Sequence, residues 1–303
     1  MYQEEFKNNI DEMLAETKKY SAKTIFLQIP EGLKTRVLEI ASTLENSGYD
    51  VIINTDPCWG ACDLRPKEAE MTGADLIVHI GHKQFIKPPE SDIPILYLIW
   101  RHELELDENR IINELAKIEE QSIGLISSVQ YESCLQKVCD ILNKMGKKAK
   151  IGGYVLGCWH DNANMDTETL LFIGSGNFHS IGAKCKYILD IERAELRNIE
   201  NEIMQFEKKR FANIEKARDA ETFCILVSSK PGQFGLDIAK KIKKRLNENN
   251  KKAFILIMDE ITDAKLLGIR ADAFINTACP RIVDNCFSKP FINIEDLDMI
   301  FGD

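Results

Sequence analysis

No long hydrophobic run interrupts this 303-residue sequence. Its longest apolar stretch, Ile93 to Trp100, is far short of the roughly 20 residues needed to cross a bilayer, so no membrane association is expected. The first twenty residues also lack a continuous apolar segment. Instead Phe6, Ile10, Met13 and Leu14 recur at helical spacing among acids and lysines, which predicts an amphipathic helix rather than a signal peptide. Positive charge is in short supply: 39 Lys and Arg stand against 48 Asp and Glu, a net charge of -9. Nucleic acid is therefore not an expected partner, because neutralising phosphates takes a concentrated basic surface. A disulfide framework is missing too. Nine cysteines, an odd number in a chain without secretory features, point to free thiols, metal or redox chemistry in a cytoplasmic protein. There is no Walker lysine loop and no Ser-His-Asp order, and histidines number five, so hydrolysis and phosphoryl transfer find little support.

What is present is alternation of short, almost fully apolar runs with helical periodicity. The first set of predicted strands is Thr24 to Pro30, Asp50 to Asn54, Ala74 to Ile80 and Ile95 to Trp100, with a helix from Leu33 to Asn46. A second set follows: strands Ser122 to Ser127, Lys150 to Leu156, Thr169 to Gly174 and Lys186 to Asp190, with a helix from Glu132 to Lys144. The third has strands Phe223 to Ser228, Ala253 to Met258, Ala273 to Thr277 and Phe291 to Ile294, with a helix from Leu236 to Asn249. Continuous apolar strands separated by helices indicate parallel sheets covered on both faces. The fold class is therefore α/β, with three similar parallel-sheet-rich domains in a pseudo-threefold triangle around a central cleft. Expected boundaries are 1–104, 105–205 and 206–303. A charged helix from Ile191 to Ala220 is expected between the second and third sets, its stripe of Leu196, Ile199, Ile203 and Phe206 packing on a domain or on a second subunit.

Three cysteines sit at comparable punctuation: Cys62 in Trp59-Gly60-Ala61-Cys62-Asp63, Cys158 in Leu156-Gly157-Cys158-Trp159, and Cys279 in Thr277-Ala278-Cys279-Pro280-Arg281. Strand ends of open α/β sheets carry the chemistry, and the three are expected to meet. Three thiolates can hold three irons of a 4Fe-4S cluster and leave the fourth iron open. Cys134, Cys139, Cys185 and Cys224 fall within predicted elements and read as small buried hydrophobes. Cys58 with Cys62 could form half a zinc site, but Cys279 with Cys286 matches zinc spacing poorly, so Cys58 and Cys286 are expected to be spare thiols. The loop Gly174-Ser175-Gly176-Asn177-Phe178-His179 is small enough to let a ligand approach the backbone, as is Pro30-Glu31-Gly32. Gln233 and Arg281 could grip an amino-acid carboxylate, the arginine through a forked contact, although both suit ordinary turns as well.

These contexts together resemble the archaeal first-step enzymes of diphthamide biosynthesis, the unconventional radical S-adenosylmethionine 3-amino-3-carboxypropyl transferases. The resemblance runs through Gln28-Ile29-Pro30-Glu31-Gly32-Leu33, Gly60-Ala61-Cys62-Asp63, Leu156-Gly157-Cys158, Gly174-Ser175-Gly176 with Phe178-His179, Lys230-Pro231-Gly232-Gln233 and Ala278-Cys279-Pro280-Arg281. It implies a homodimer whose 4Fe-4S cluster rests on Cys62, Cys158 and Cys279. It also implies an external electron donor and cleavage of S-adenosylmethionine at the methionine γ-carbon. The fragment would pass to a histidine of translation elongation factor 2. Cofactor contacts would come from Gln28, Pro30, Glu31, Gly32, Gly174, Ser175, Gly176, Phe178, His179, Gln233 and Arg281. Two other readings are quinolinate synthase-like dehydration and condensation on the open iron, or a non-catalytic cluster-bearing subunit.

Overall fold

A computed structural model describes residues 2–87, 90–101 and 106–301. Helix α1 (Tyr2–Thr17) precedes β1 (Thr24–Gln28), α2 (Val37–Asn46), β2 (Asp50–Asn54), α3 (Pro66–Met71), β3 (Leu76–Ile80) and β4 (Ile95–Leu98). The four strands form a parallel sheet in the order β2-β1-β3-β4. Alternation along the strands sends Ile25, Leu27, Val78 and Ile80 toward α1 and α2, where Phe6, Ile10 and Met13 close the core. Phe26 and Ile77 face the other way, against Ala69 of α3. Each such fully buried side chain contributes about 1.5–3 kcal/mol relative to exposure.

The second unit holds α4 (Glu108–Leu115), β5 (Ser122–Ser127), α5 (Cys134–Lys144), β6 (Lys148–Tyr154), β7 (Thr169–Ile173), α6 (Phe178–Gly182), β8 (Tyr187–Asp190) and β9 (Glu195–Asn198). Its sheet order is β6-β5-β7-β8-β9. Helix α7 (Glu200–Arg218) leads into the third unit, which contains β10 (Thr222–Ser228), α8 (Leu236–Glu248), β11 (Lys252–Met258), α9 (Asp263–Leu266), β12 (Ala273–Asn276), β13 (Phe291–Asn293) and α10 (Leu297–Phe301). Here the order is β11-β10-β12-β13, again parallel.

The repetition extends to single hydrogen bonds. At the foot of the first strand of each unit, one carboxylate oxygen accepts from two successive backbone N–H groups. Asp75 Oδ2 takes those of Lys23 and Thr24 at 2.8 and 2.9 Å. Glu168 Oε2 takes Gln121 and Ser122 at 2.7 and 3.3 Å, and Asp272 Oδ2 takes Glu221 and Thr222 at 3.1 and 2.8 Å. Three copies of one βαβ plan account for this agreement better than generic α/β similarity does.

Two expected elements differ. The helix expected from Leu33 starts as a 3-10 turn, Glu31–Arg36, and becomes α-helical at Val37. The long helix expected from Ile191 begins only at Glu200, because Glu195–Asn198 pairs antiparallel with β8 and places Leu196 opposite Leu189. Tertiary pairing at a free sheet edge thus overrides a helical stripe. The rest of that stripe is used inside the chain: Ile199 and Ile203 pack on the second unit and Phe206 on the third. Helix α7 spans 205/206 and is the joint between these units.

The amides of Thr24 and Lys23 hold the Asp75 carboxyl below its ordinary value. Its contribution is therefore present above the unfolded carboxylate range and lost as pH falls through the lower folded value. Asp75→Ala should lower the unfolding temperature near neutral pH, and the gap to the parent should narrow below about pH 4. A gap that stays constant into acid would show that the carboxylate charge is not the source.

Candidate functional site

The carboxyl ends of the three sheets meet at one cavity. Cys62 lies in the loop between β2 and α3, Cys158 in the loop after β6, and Cys279 just beyond β12. All three line a single cavity of about 310 Å³, with Gln233, Phe234 and Thr277 among the other walls. The cysteines do not follow the repeat strictly. Cys62 and Cys158 come from second-strand loops, whereas Cys279 comes from a third-strand loop. In the third unit the second-strand loop carries Asp259 and Glu260 instead.

Local chemistry fixes Cys62 most firmly. Gly232 N donates to the Cys62 carbonyl at 3.0 Å, and Gln233 Nε2 donates to Cys62 Sγ at 3.3 Å. Gly232 is required for this approach, since a Cβ there would stand 2.4 Å from the Cys62 Cα and 2.4 Å from Ile86 Cδ1. At the end of β1, buried Gln28 staples the same loop: its Nε2 donates to the Asp63 carbonyl at 3.2 Å and its Oε1 accepts from Arg65 N at 3.1 Å. Asp63 and Arg65 then bind the third unit. Lys230 Nζ is 2.6 Å from Asp63 Oδ2 and also contacts Glu260, while Arg65 holds Asp259 through two contacts of 2.8 Å.

Burial raises the thiol pKa of Cys62 against the opposing Gln233 hydrogen bond, and raises that of Cys158, with the facing Cys62 adding to it. Burial pushes Cys279 up to about 12, reinforced by Cys158 and Cys62. Three thiols gathered on a shared cavity, with Cys279 opposed by both of the others, suit a polynuclear cation. The donor set fits a 4Fe-4S cluster: soft sulfur ligands from three loops, no carboxylate among them, and a side-chain amide aimed at one sulfur.

A second cavity of about 430 Å³ adjoins this one through Gln233 and Cys279, and Arg281, Asp284, Trp59 and Phe178 line it. Arg281 is buried beside Asp284 at 2.6 Å, with its guanidinium over the rings of Phe178 and Phe206. Its Nε has no hydrogen-bond partner among the described residues. Burial lowers the Arg281 pKa, and Asp284 opposes that shift.

The other expected site residues are distributed as follows. Phe178 is half exposed at the second cavity, and His179 is enclosed by the Phe172 and Phe178 rings. Burial, with Arg281 nearby, takes the His179 pKa down to about 4. Gly174 and Gly176 adopt φ values of 148° and 73°, which glycine alone accepts readily. Ser175 shares a hydrogen bond with Tyr131. Pro30 packs against Gly81 and Glu31 pairs with Lys34 at 2.5 Å, while Gly32 faces open space. Gln28, Pro30, Glu31, Gly32, Gly174, Ser175, Gly176 and His179 are not among the walls of the two cavities. The cross-unit ion pairs were missed by sequence reasoning. Lys230 and Asp63 both stood in singled-out motifs, yet nothing local couples residues 167 positions apart.

Comparison with known proteins agrees with this geometry. The sequence profile of the diphthamide synthesis protein family matches residues 29–303. The chain is similar to 2-(3-amino-3-carboxypropyl)histidine synthase of Pyrococcus horikoshii, with 31% identity covering 96% of this chain and 89% of that protein. It is 26% identical to the enzyme of that name from Methanocaldococcus jannaschii, covering 93% and 85% of the two chains. The crystal structure of Dph2 from Pyrococcus horikoshii with a 4Fe-4S cluster superposes with a TM-score of 0.86 and 30% identity, covering 97% of this chain and 90% of that one.

Replacing Gly232 with alanine should force the Cys62 loop away from the third unit. Iron retention by the reconstituted protein is expected to weaken about 10-fold or more, as for changes behind a metal ligand, while far-ultraviolet circular dichroism stays unchanged. Parental iron retention in Gly232→Ala would show that this contact does not position Cys62.

Proposed function

The chain belongs to the diphthamide synthesis protein family, and on that premise we propose that it is a 2-(3-amino-3-carboxypropyl)histidine synthase acting on translation elongation factor 2. The donor is S-adenosylmethionine, and the acceptor is the imidazole of one histidine of the factor. The observation that carries this reading is the meeting of Cys62, Cys158 and Cys279, one from each unit, at a single cavity.

A 4Fe-4S cluster held there by the three thiolates supplies an electron and an open iron position for radical cleavage of S-adenosylmethionine at the methionine γ-carbon. The chain's own task is placement. Gln233, bonded to Cys62 Sγ and present in both cavities, lies at the boundary between cluster and substrate spaces. Arg281 offers its unpartnered Nε and a fixed guanidinium to the methionyl carboxylate. From the Gly174 to His179 loop, Phe178, which lines the second cavity, faces the nucleoside. Trp59, Phe234 and Phe178 remain 61%, 51% and 47% exposed around the two cavities. They form an apolar rim that receives the histidine-bearing segment of the elongation factor and excludes water as it docks.

A cytoplasmic homodimer supplied by an external electron donor completes the proposal. No described helix is long and apolar enough to cross a membrane.

The test is anaerobic incubation of reconstituted, reduced protein with S-adenosylmethionine, followed by identification of the nucleoside product. Methylthioadenosine is expected, and it should disappear with Cys62→Ala, Cys158→Ala or Cys279→Ala. Arg281→Ala should raise KM for S-adenosylmethionine about 10-fold, the consequence of losing a charge-assisted hydrogen bond of ~1.5 kcal/mol. A fully loaded cluster without turnover would overturn the reading and return the chain to a Lewis-acid or non-catalytic role.

A further inference from the structure

Cys58 lies four residues before Cys62, yet it does not line the three-cysteine cavity. Its sulfur turns instead to the end of β3. His79, the penultimate residue of that strand, projects onto the face shared with Phe26 and Ile77 and has no exposed surface. The chain then reverses through Gly81 at φ 93°, which brings His82 back over His79. Cys58 Sγ stands 3.9 Å from His79 Nδ1 and 4.0 Å from Nε2, and His79 Nε2 is 3.1 Å from His82 Nδ1. One donor atom from each of the three residues lies within 4.8 Å of the others. Among the described residues, the ring nitrogens of His79 and His82 have recorded hydrogen-bond partners only within this trio.

We propose that Cys58, His79 and His82 form a second metal site, one that takes a single zinc ion and is separate from the three-cysteine cavity. Zinc bonds of about 2.3 Å to sulfur and ~2.0–2.1 Å to nitrogen, at tetrahedral angles, put sulfur about 3.6 Å from each nitrogen and the nitrogens about 3.3 Å apart. The recorded Cys58 to His79 and His79 to His82 separations differ from these by a few tenths of an ångström, the Cys58 and His82 donors lie within 4.8 Å of each other, and rotation of the Cys58 and His82 side chains closes the set. One thiolate and two imidazoles suit zinc, whereas magnesium and calcium take oxygen donors that the trio lacks. The fourth position falls to water, reached from the side of half-buried His82. A hydrogen-bonded trio of neutral side chains is the competing account, and it predicts no bound metal. The sequence alone disfavoured zinc at Cys58 because it sought a second Cys or His pair nearby in the chain. The partners are instead 21 and 24 residues on, brought in by the β1-β3 pairing and the Gly81 turn.

The experiment reads metal content rather than turnover, so it stands apart from the proposed activity. Cluster-loaded protein is supplied with zinc and dialysed against a mild chelator. Zinc and iron are counted per chain, and the zinc absorption edge reports its ligands. One zinc per chain with a single sulfur neighbour is expected. His82→Asn should reduce zinc retention about 10-fold or more with iron unchanged, as loss of a first ligand or its support does. Cys58→Ser should do the same, and His82→Asn decides the matter should the more buried Cys58→Ser variant fold poorly. Absence of retained zinc in the parent protein would overturn the proposal. So would zinc with several sulfur neighbours that survives His82→Asn and vanishes with Cys158→Ala, since that ion would sit on the three cysteines.

Discussion

A site built from three loops of three units survives only if the units cannot move apart, and here the restraint is a buried ion pair. Lys230 of the third unit reaches Asp63 of the first at 2.6 Å, and both side chains are almost wholly enclosed. Burial raises the Asp63 carboxyl pKa, and the hydrogen bond from Lys230 opposes this. Against its own burial, Lys230 is held above its ordinary value by Asp63 and Glu260. We take the pair as charged, because Arg65 also faces Asp63, at 3.4 Å. Burying two charges is costly, and such pairs add little net stability, but removing one partner costs about 3–5 kcal/mol because the other is left uncompensated. The pair therefore acts as a registry device. It allows one placement of the first unit against the third, with Cys62 adjoining Asp63 in sequence.

Around that restraint the other contacts form a continuous support. Gln28 joins the end of β1 to the Cys62 loop from inside the first unit. Gly232 and Gln233 close on Cys62 from the third unit. Arg281 turns its guanidinium onto Phe178 of the second unit, two residues from Cys279. Groups from all three units thus touch at the cavity, as expected where catalysis relies on holding cofactors and substrate at fixed separations.

The repeat and its exceptions explain one another. The shared carboxylate clamp at Asp75, Glu168 and Asp272 sits at the amino ends of the strands, far from the chemistry, and was kept in all three units. At the carboxyl ends the units diverge. The second-strand loop carries Cys62 in the first, Cys158 in the second, and the pair Asp259 and Glu260 in the third. The third unit contributes its cysteine from the neighbouring loop, and its second-strand loop grips Arg65 and Lys230. A threefold scaffold supports an asymmetric site because parallel strands deliver two loops per unit to the same edge.

Strand positions, the α/β class, the threefold pattern and the meeting of Cys62, Cys158 and Cys279 were legible in the sequence, because buried parallel strands leave apolar runs that end in Gly, Pro and Cys. The N-terminal helix was legible for the same reason, its apolar spacing matching the face it buries. Strand β9 was not, since Leu196 reads as part of a helical stripe until β8 offers it an edge. Nor were the Lys230 to Asp63 and Arg65 to Asp259 pairs, or the approach of His79 and His82 to Cys58. Local pattern encodes what each segment becomes. Which charged, imidazole or thiol groups meet is decided by sheet packing, since their attraction operates only after burial has brought together residues that the chain keeps far apart.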